Sequence, residues 1–368
     1  MHKPRKRAST MPELPPELWM YIHRLATVDV SPLTCAYEGR STIAENPLNE
    51  HDLQRYFRAV RTLARVCKLW NGLTHGLMYE NVQIGRRFAS LVAAIARPET
   101  AGAVRSIRLS TTAFDQNAAV LSQCPHVEML VQPEFPRADR LYAAPERDLP
   151  PLHALTRIYW IESYWSAPLL HRVLHAAPNV THITLSSSRT IGSDPAPPAF
   201  PALPQLTSLL LLPDVHPPLV HAFLRMQPPR LAHLALASTH LTAHSALPAL
   251  PAVRTLDLVE HRPTRVPFPA IATLFPGLRE LRYDALSTYE APAAGTALAL
   301  VCVRLHVSLP PNVGTRARAV ELERHLRLLL EPAFVSVERI VLDRPWGGVA
   351  LEQRGKLLAR GCVVEAEE

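Results

Sequence analysis

The sequence predicts an α/β fold in which an N-terminal helical module precedes a curved solenoid with parallel inner strands. The main observation is a repeat, because ten short segments carry aliphatic residues at their first and fourth positions and, in most of them, at the sixth. They begin at Val104, Val127, Leu155, Val180, Leu206, Leu231, Val253, Leu278, Leu298 and Val337. Most starts lie 21 to 28 residues apart. We therefore expect each segment to be a strand that buries its aliphatic side chains beside the next copy.

The second observation is helical spacing between these strands. Residues 166–179, 217–229 and 268–277 carry apolar side chains at intervals of three and four. In the first two stretches these residues are Leu169, Leu170, Val173, Leu174, Leu219, Val220, Phe223 and Leu224. Strands that alternate with helices, at a repeat of this length, predict a strand on the inner surface and a helix or turn on the outer one.

The C-terminal part of the solenoid contains the longest interval between strands. Residues 316–332 predict an amphipathic helix there, whose apolar residues are Val320, Leu322, Leu326, Leu329 and Leu330. This helix is either an ordinary outer helix or the support for a terminal cap. The last residues predict a final strand, followed by an acidic tail at 365–368. The predicted solenoid spans residues 86–364.

Residues 11–85 do not follow the repeat and predict a helical module. Pro16 and Glu17 open a helix, and a polar, turn-rich insert lies near 29–52. Helical spacing then returns, with one apolar face formed by Val60, Leu63, Val66, Cys67, Trp70 and Leu73. Three short helices have too little mutual contact to bury every large apolar side chain. We therefore expect an exposed apolar stripe that binds a partner.

Charge and composition narrow the classes of function. The formal net charge is +7, but Lys3, Arg5, Lys6 and Arg7 supply four of these charges, which leaves +3 elsewhere. That balance is too weak for a nucleic-acid-binding groove. The basic residues 1–10 predict a disordered tip or a nuclear-import signal. No apolar window is long enough to span a membrane, so we expect a cytoplasmic or nuclear protein without membrane contact.

The five cysteines are scattered and never form two close pairs, which argues against disulfides and a structural zinc. The histidines do not form a zinc-enzyme motif either. His171 and His175 stand four apart on a predicted helix, but no carboxylate or cysteine lies beside them. The sequence therefore predicts no metal, cofactor or catalytic site.

The helical module carries an ordered set of short motifs. Leu14-Pro15-Pro16-Glu17-Leu18 comes first, then Val66-Cys67-Lys68-Leu69-Trp70, then Leu77-Met78-Tyr79. In this order the motifs resemble an F-box, and the resemblance covers residues 11–82. The insert is longer than in the compact form of that family. The later segments resemble leucine-rich repeats, although they lack the asparagine that follows the strand in the best-known pattern.

The resemblance implies a substrate receptor rather than an enzyme. An F-box docks onto a Skp-family adaptor and, through it, onto a cullin-RING ubiquitin ligase, while the attached repeats bind a protein substrate. The residues that we assign to the adaptor contact are Leu14, Pro15, Ile22, Leu63, Val66, Cys67 and Trp70. The substrate itself is unknown, since nothing in the sequence identifies it.

The predicted substrate surface follows from the alternation of side chains along a strand. Residues between the aliphatic positions point away from the core, onto the inner, concave surface. They are Arg108, Arg157, Tyr159, His182, His233, Asp257, Glu280, Arg282 and Asp284. Both charge signs and aromatic rings are present, which favours a protein ligand over a polyanion.

Two other functions fit the same residues. In the first, the repeats form a protein-binding scaffold without a ubiquitin role, and the N-terminal helices only cap the solenoid. In the second, the repeat surface carries a hydrolase that uses His182 or His233, which requires a nucleophile, a base and oxyanion donors in one pocket.

Overall fold

The chain divides into two compact units, Met1–Arg108 and Leu109–Glu368. The structure is a computed structural model. It describes residues 15, 18–19, 21–22, 50–85, 87–109, 114–133, 149–162, 167–187, 200–242, 247–260, 264–292, 295–306, 315–342 and 352–366. Leu14, Leu25 and most of the predicted polar insert lie outside these residues, as do Cys35 and the basic tip.

The first unit combines helices with a short pair of strands. Residues 18–19 and 21–22 are helical. The later elements are α1 (Glu50–Ala64), α2 (Lys68–Glu80), β1 (Asn81–Gln83), α3 (Phe88–Ile95), α4 (Pro98–Ala103) and β2 (Ser106–Arg108). Strands β1 and β2 pair in parallel, with Asn81 opposite Ser106. Since α1 begins at Glu50, residues 50–52 of the predicted polar insert are helical.

Helices α1 and α2 pack through a small apolar core. Tyr56, Val60 and Leu77 are buried, and Phe57 packs against them. The Tyr56 hydroxyl donates to the Leu77 carbonyl oxygen at 2.8 Å. This bond satisfies the polar end of a buried aromatic ring, so Tyr56 ties the two helices together without an unpaired hydroxyl.

The apolar face predicted from Val60 to Leu73 is not continuous. The chain leaves the helical conformation between Ala64 and Lys68, where Cys67 is extended with φ −160° and ψ 172°. The Asn71 side-chain amide donates to the Ala64 carbonyl oxygen at 3.2 Å, which satisfies a helix-terminal acceptor. The break allows α2 to turn back onto Tyr56 and Val60. It also moves Val66 and Cys67 from the predicted helix face to an exposed turn.

The second unit alternates strands and helices. Its helices are α5 (Phe114–Leu121), α6 (Ala167–Ala176), α7 (Pro217–Arg225), α8 (Ser238–Thr242), α9 (Phe268–Leu274), α10 (Thr315–Leu328) and α11 (Glu352–Ala359), with a 3-10 turn at Pro332–Phe334. Its strands are β3 (Met129–Gln132), β4 (Arg157–Glu162), β5 (His182–Ser187), β6 (Ser208–Leu211), β7 (His233–Leu236), β8 (Thr255–Leu258), β9 (Arg265–Pro267), β10 (Glu280–Asp284), β11 (Thr288–Glu290), β12 (Cys302–His306), β13 (Arg339–Leu342) and β14 (Val363–Ala366).

Ten of these strands form one parallel sheet in the order β3-β4-β5-β6-β7-β8-β10-β12-β13-β14. The order of strands in space is their order along the chain, which is the defining feature of a solenoid. Strands β9 and β11 pair in parallel as a separate ribbon. The predicted α/β architecture with parallel strands is therefore confirmed at this level.

The strands bury one face, as the sequence predicts. On neighbouring strands the core positions lie opposite one another, for example Ile158 opposite Ile183 and Trp160 opposite Leu185. The helices supply the other half of the core, since the apolar residues predicted on α6 and α7 are all at most 4% exposed. On α10, Leu322, Leu326 and Leu329 are buried as predicted, but Val320 is 62% exposed.

The predicted start of the ninth repeat segment is wrong by two residues. In the other predicted segments the strand starts two residues after the first aliphatic residue, as in Leu155 and Arg157. Strand β12 starts at Cys302, so its segment begins at Leu300 rather than Leu298. With this register Val303 and Leu305 face the core at 0% exposed.

A ladder of three threonines joins four consecutive repeats. The hydroxyl groups of Thr156, Thr181 and Thr207 donate to the carbonyl oxygens of Glu128, Thr156 and Thr181 at 3.3, 3.0 and 3.0 Å. Each threonine directly follows the first aliphatic residue of its segment. These hydroxyls help to satisfy backbone carbonyls next to the buried sheet. In the best-known leucine-rich pattern the asparagine after the strand satisfies backbone groups, and this sequence lacks that asparagine.

Cys67, Cys124, Cys302 and Cys362 are free thiols. Burial raises the pKa of Cys124 to about 11. A thiol with so high a pKa is a poor nucleophile near neutral pH. None of the helices that the structure describes is long and apolar enough to cross a membrane.

Candidate functional site

The first candidate surface is an apolar patch on the helical module. We call it the module patch and define it by five exposed apolar side chains, which are Leu18, Tyr21, Ile22, Val66 and Leu69. Between 38% and 61% of each of these side chains is exposed. Met78 is also exposed, but it lies on the side of α2 opposite Leu69. Large apolar side chains exposed in such a group are typical of a protein-binding surface.

The predicted adaptor residues fall into three groups. Pro15, Ile22, Val66 and Cys67 are exposed, whereas Leu63 and Trp70 are half-buried. Leu14 lies outside the described residues. Leu18, Tyr21, Leu69 and Met78 were not assigned by the sequence, although Leu18, Leu69 and Met78 lie within the quoted motifs.

Trp70 acts as a bridge inside the module rather than as a fully exposed anchor. Its ring centroid lies 5.5 Å from that of Trp19, at an interplanar angle of 54°. The contact fixes the first helical segment against α2. Leu18 and Ile22 lie on the same helical segment as Trp19, so Trp70 positions two members of the module patch.

The second candidate surface is the sheet face opposite the core. In the second unit we call it the open face and define it by the strand residues that alternate with the core positions. From β4 to β13 these include Arg157, Tyr159, His182, Thr184, Ser208, His233, Asp257, Glu280, Arg282, Arg304 and His306. Eight of the nine predicted substrate residues lie on this face; the ninth, Arg108, is in the first unit.

The register brings these residues into neighbouring rows. Arg157 lies opposite His182, and His182 lies opposite Ser208. In the next row Asp257 lies opposite Arg282, which lies opposite Arg304. Parallel strands are about 4.8 Å apart, so side chains on adjacent strands are close enough to act on one ligand.

Hydrogen bonds connect the middle of the open face. Ser208 Oγ lies 3.1 Å from His233 Nδ1, and His233 Nε2 lies 3.1 Å from Asp257 Oδ2. The carboxylate only accepts, so His233 Nε2–H donates to it, while His233 Nδ1 lies within hydrogen-bond distance of the Ser208 hydroxyl. The chain of bonds fixes the His233 ring and buries Asp257, which is only 6% exposed.

Two features of this serine–histidine–aspartate arrangement weigh against acyl transfer at Ser208. The Ser208 and His233 backbone N–H groups donate to Thr181 and Thr207 carbonyl oxygens, each at 3.0 Å. They therefore cannot serve as oxyanion donors, which acyl transfer at Ser208 would need. Ser208 itself is only 7% exposed. The hydrolase interpretation therefore lacks both the donors and the access that it requires at this position.

The remaining open-face charges are partly paired. Arg304 Nε contacts Glu280 Oε1, and less than a third of each side chain is exposed. Asp284 accepts from the Leu286 N–H at 2.8 Å and is 1% exposed. Its carboxylate therefore stabilises the turn after β10, and we remove Asp284 from the set of residues proposed to contact a ligand.

Two histidines on the open face are held neutral. Burial lowers the pKa of His182, and the positive charge of Arg157 and the nearby His233 lower it further. Burial also lowers the pKa of His306, with a further contribution from Arg282, although Asp284 and Asp257 oppose it. Near neutral pH the open face therefore presents arginine cations, carboxylates and neutral imidazoles together. Such a mixture suits a protein surface better than a polyanion.

No protein-family model matches the chain, and no curated protein matches it. Seven chains of solved structures are similar to it. One is a protein of Bacteroides fragilis known from a crystal structure, with 12% identity and a TM-score of 0.31 over 78% of this chain and 74% of that chain. A similarity at this level identifies neither a function nor a shared fold.

Proposed function

We propose that the protein is a non-catalytic substrate receptor of a ubiquitin ligase. The module patch docks onto a Skp-family adaptor and, through it, a cullin-RING ligase. The open face holds a protein substrate beside the enzyme that modifies it. Such a receptor acts in the cytoplasm or nucleus and raises the local concentration of the substrate.

The observation that carries the proposal is the exposure of the module patch. Val66 and Leu69 are 53% and 55% exposed, while Tyr56, Val60 and Leu77 form the internal core of the module. The F-box resemblance supplies the identity of the partner. Exposure alone supports only a docking surface, so the partner must be tested directly.

The adaptor contact can be tested with Val66→Asp combined with Leu69→Asp. Because both side chains are exposed, the double variant should fold, but two carboxylates would be desolvated in an apolar interface. We expect adaptor binding to weaken at least about a hundredfold, since two central interface side chains each contribute about 1.4 kcal/mol or more. Binding to purified Skp-family adaptor is measured by calorimetry.

The matched control is Val335→Asp, because Val335 is 68% exposed and lies in the second unit. It should bind the adaptor like the unmodified chain. Circular dichroism verifies that all variants are folded. Adaptor binding that is absent from the unmodified chain, or that survives the double substitution, would refute the assignment of the module patch.

The substrate surface can be tested with Arg157→Ala combined with Tyr159→Ala. Arginine and tyrosine are the residue types that most often dominate protein interfaces, and these two lie on one strand of the open face. We expect the proteins that co-purify with the unmodified chain to be depleted at least about tenfold from the double variant. This depletion corresponds to a loss of about 1.4 kcal/mol or more of binding free energy. Quantitative mass spectrometry after affinity purification measures this.

Arg225→Ala serves as the control, since Arg225 is exposed on α7 rather than on the open face. The adaptor should be retained by both the open-face variant and this control. If the proteins lost are the same for both variants, the open face is not the substrate surface. The unmodified chain could fail to bind the adaptor and still lose its co-purifying proteins when the open face is substituted. That result would instead favour the scaffold without a ubiquitin role.

A further inference from the structure

Two histidines on α6 bring the same ring nitrogen together. His171 and His175 stand one helical turn apart, so their side chains share a face. The two Nε2 atoms are 3.1 Å apart, and the ring centroids are 4.4 Å apart. This geometry lies on the helix layer of the second unit and plays no part in the function proposed above.

The separation of the two nitrogens matches that of two ligands on one metal ion. Imidazole nitrogens bind zinc at about 2.0–2.1 Å, which puts two of them about 2.9 Å apart at a right angle and about 3.3 Å apart at a tetrahedral angle. The observed 3.1 Å lies between these values. Imidazole is also a preferred ligand of copper and nickel. We propose that His171 and His175 bind a divalent transition-metal ion of the zinc, nickel and copper class.

The surroundings hold the pair in place and leave room for further ligands. The His171 ring lies 6.1 Å from Phe200, which stacks on the buried Phe223 at 4.5 Å. Beside the pair is a cavity of about 430 Å³, whose polar lining is His153, His171, Arg172 and His175. The Leu152 N–H donates to the Ala176 carbonyl oxygen at 2.7 Å, which ties the segment before His153 to the end of α6. The volume accommodates water molecules that complete the coordination of the ion.

The number of protein ligands sets the expected affinity. Within the part of the chain that the structure describes, no group of three histidine, cysteine or acidic side chains is placed to share an ion. Among the described residues the site therefore has two protein ligands, which is fewer than a structural zinc site has. The Arg172 guanidinium lines the same cavity and repels a cation. We expect affinity in the micromolar range rather than tighter.

Calorimetric titration of the purified full chain with ZnCl₂, NiCl₂ or CuCl₂ tests the proposal. We expect Cu²⁺ to bind more tightly than Ni²⁺ or Zn²⁺, in accordance with the general order of divalent affinities. His171→Gln and His175→Gln should each weaken binding at least about tenfold, because a single imidazole cannot chelate. His126→Gln is the control, since His126 is exposed elsewhere in the second unit.

An N–H···N hydrogen bond between the two rings explains the same distance without a metal, and the experiment separates these cases. Equal binding by the unmodified chain and both single variants would overturn the proposal. A second measurement needs no variant, because zinc should shift the nuclear magnetic resonance signals of two histidine rings together. If zinc shifts the signals of no pair of histidine rings, the site is also refuted.

Discussion

Phe268→Ala is expected to lower the free energy of unfolding of the second unit by about 3–5 kcal/mol. Phe268 is fully buried at the start of α9. Its ring meets those of Tyr283 and Phe334 edge to face, with centroids 5.9 and 5.1 Å apart. Alanine would leave a cavity and remove these aromatic contacts, which contribute about 0.5–1.5 kcal/mol per pair beyond the burial of area.

Urea unfolding at pH 7, followed by far-ultraviolet circular dichroism, gives this free energy by linear extrapolation. Phe268→Leu is the matched variant. It keeps most of the apolar volume and should cost less than about 1.5 kcal/mol. The exposed substitution Val335→Ala should change stability by no more than about 0.5 kcal/mol. An alanine variant as stable as the leucine variant would show that the cluster does not hold this part of the sheet.

The same cluster positions the open face, which connects stability with function. Tyr283 is a core residue of β10, and Arg282 next to it points to the opposite face. Loosening the packing of Tyr283 therefore moves Arg282 relative to Asp257 on β8. Phe268→Ala should for this reason also weaken the proposed binding of a substrate, whereas the module patch lies in the other unit and should keep its proposed affinity for the adaptor.

The strands could be predicted from the sequence because alternation along a strand is a local property. Ile158 and Trp160, for example, are buried on either side of the half-buried Tyr159, as their spacing predicts. The same logic failed at residues 297–301, where Leu298, Leu300 and Val301 are all aliphatic and two registers fit. Burial of Val303 and Leu305 selects the later register, and that depends on the neighbouring strands.

The candidate surfaces could be predicted less fully, since exposure depends on tertiary packing. Leu69 and Leu77 both lie in motifs that the sequence shows, but Leu69 is exposed and Leu77 is buried. This difference depends on the turn at residues 65–67, which sets the direction of α2. Asp284 has the expected spacing for the open face, yet its carboxylate is bound to the turn that follows it. Spacing identifies the face on which a side chain lies, but not the hydrogen bonds that occupy it.

His325 was the least predictable core residue and gives the last prediction. It occupies an apolar position of α10 between Leu322 and Leu329, and it is fully buried. Its Nε2–H donates to the Ser287 carbonyl oxygen at 2.9 Å, so Nδ1 accepts from the Tyr283 hydroxyl at 3.2 Å. Tyr283 and Tyr289 pack their rings about 5.3 and 5.2 Å from the imidazole.

Burial of the His325 ring favours its neutral form. Burial lowers the pKa of His325 to about 4, and the adjacent Arg324 cation contributes, while the Ser287 and Ala285 carbonyl groups and the Asp284 carboxylate oppose the change. The unfolded chain binds this proton below about pH 6.5. The folded chain binds it only near pH 4, so the unfolded state carries more protons between these values. Stability is therefore complete above about pH 6.5 and falls as the pH decreases towards 4.

His325→Gln should remove this pH dependence, because glutamine can donate to Ser287 and accept from Tyr283 but does not titrate. Between pH 7.5 and pH 5 the unmodified chain should lose about 2 kcal/mol more stability than the variant, as linkage with these two pKa values requires. Urea unfolding at both pH values measures the difference. His182 and His306 titrate in both proteins, so their contributions cancel. Equal losses in the two proteins would mean that His325 is already charged in the folded chain at pH 5, which would contradict its lowered pKa.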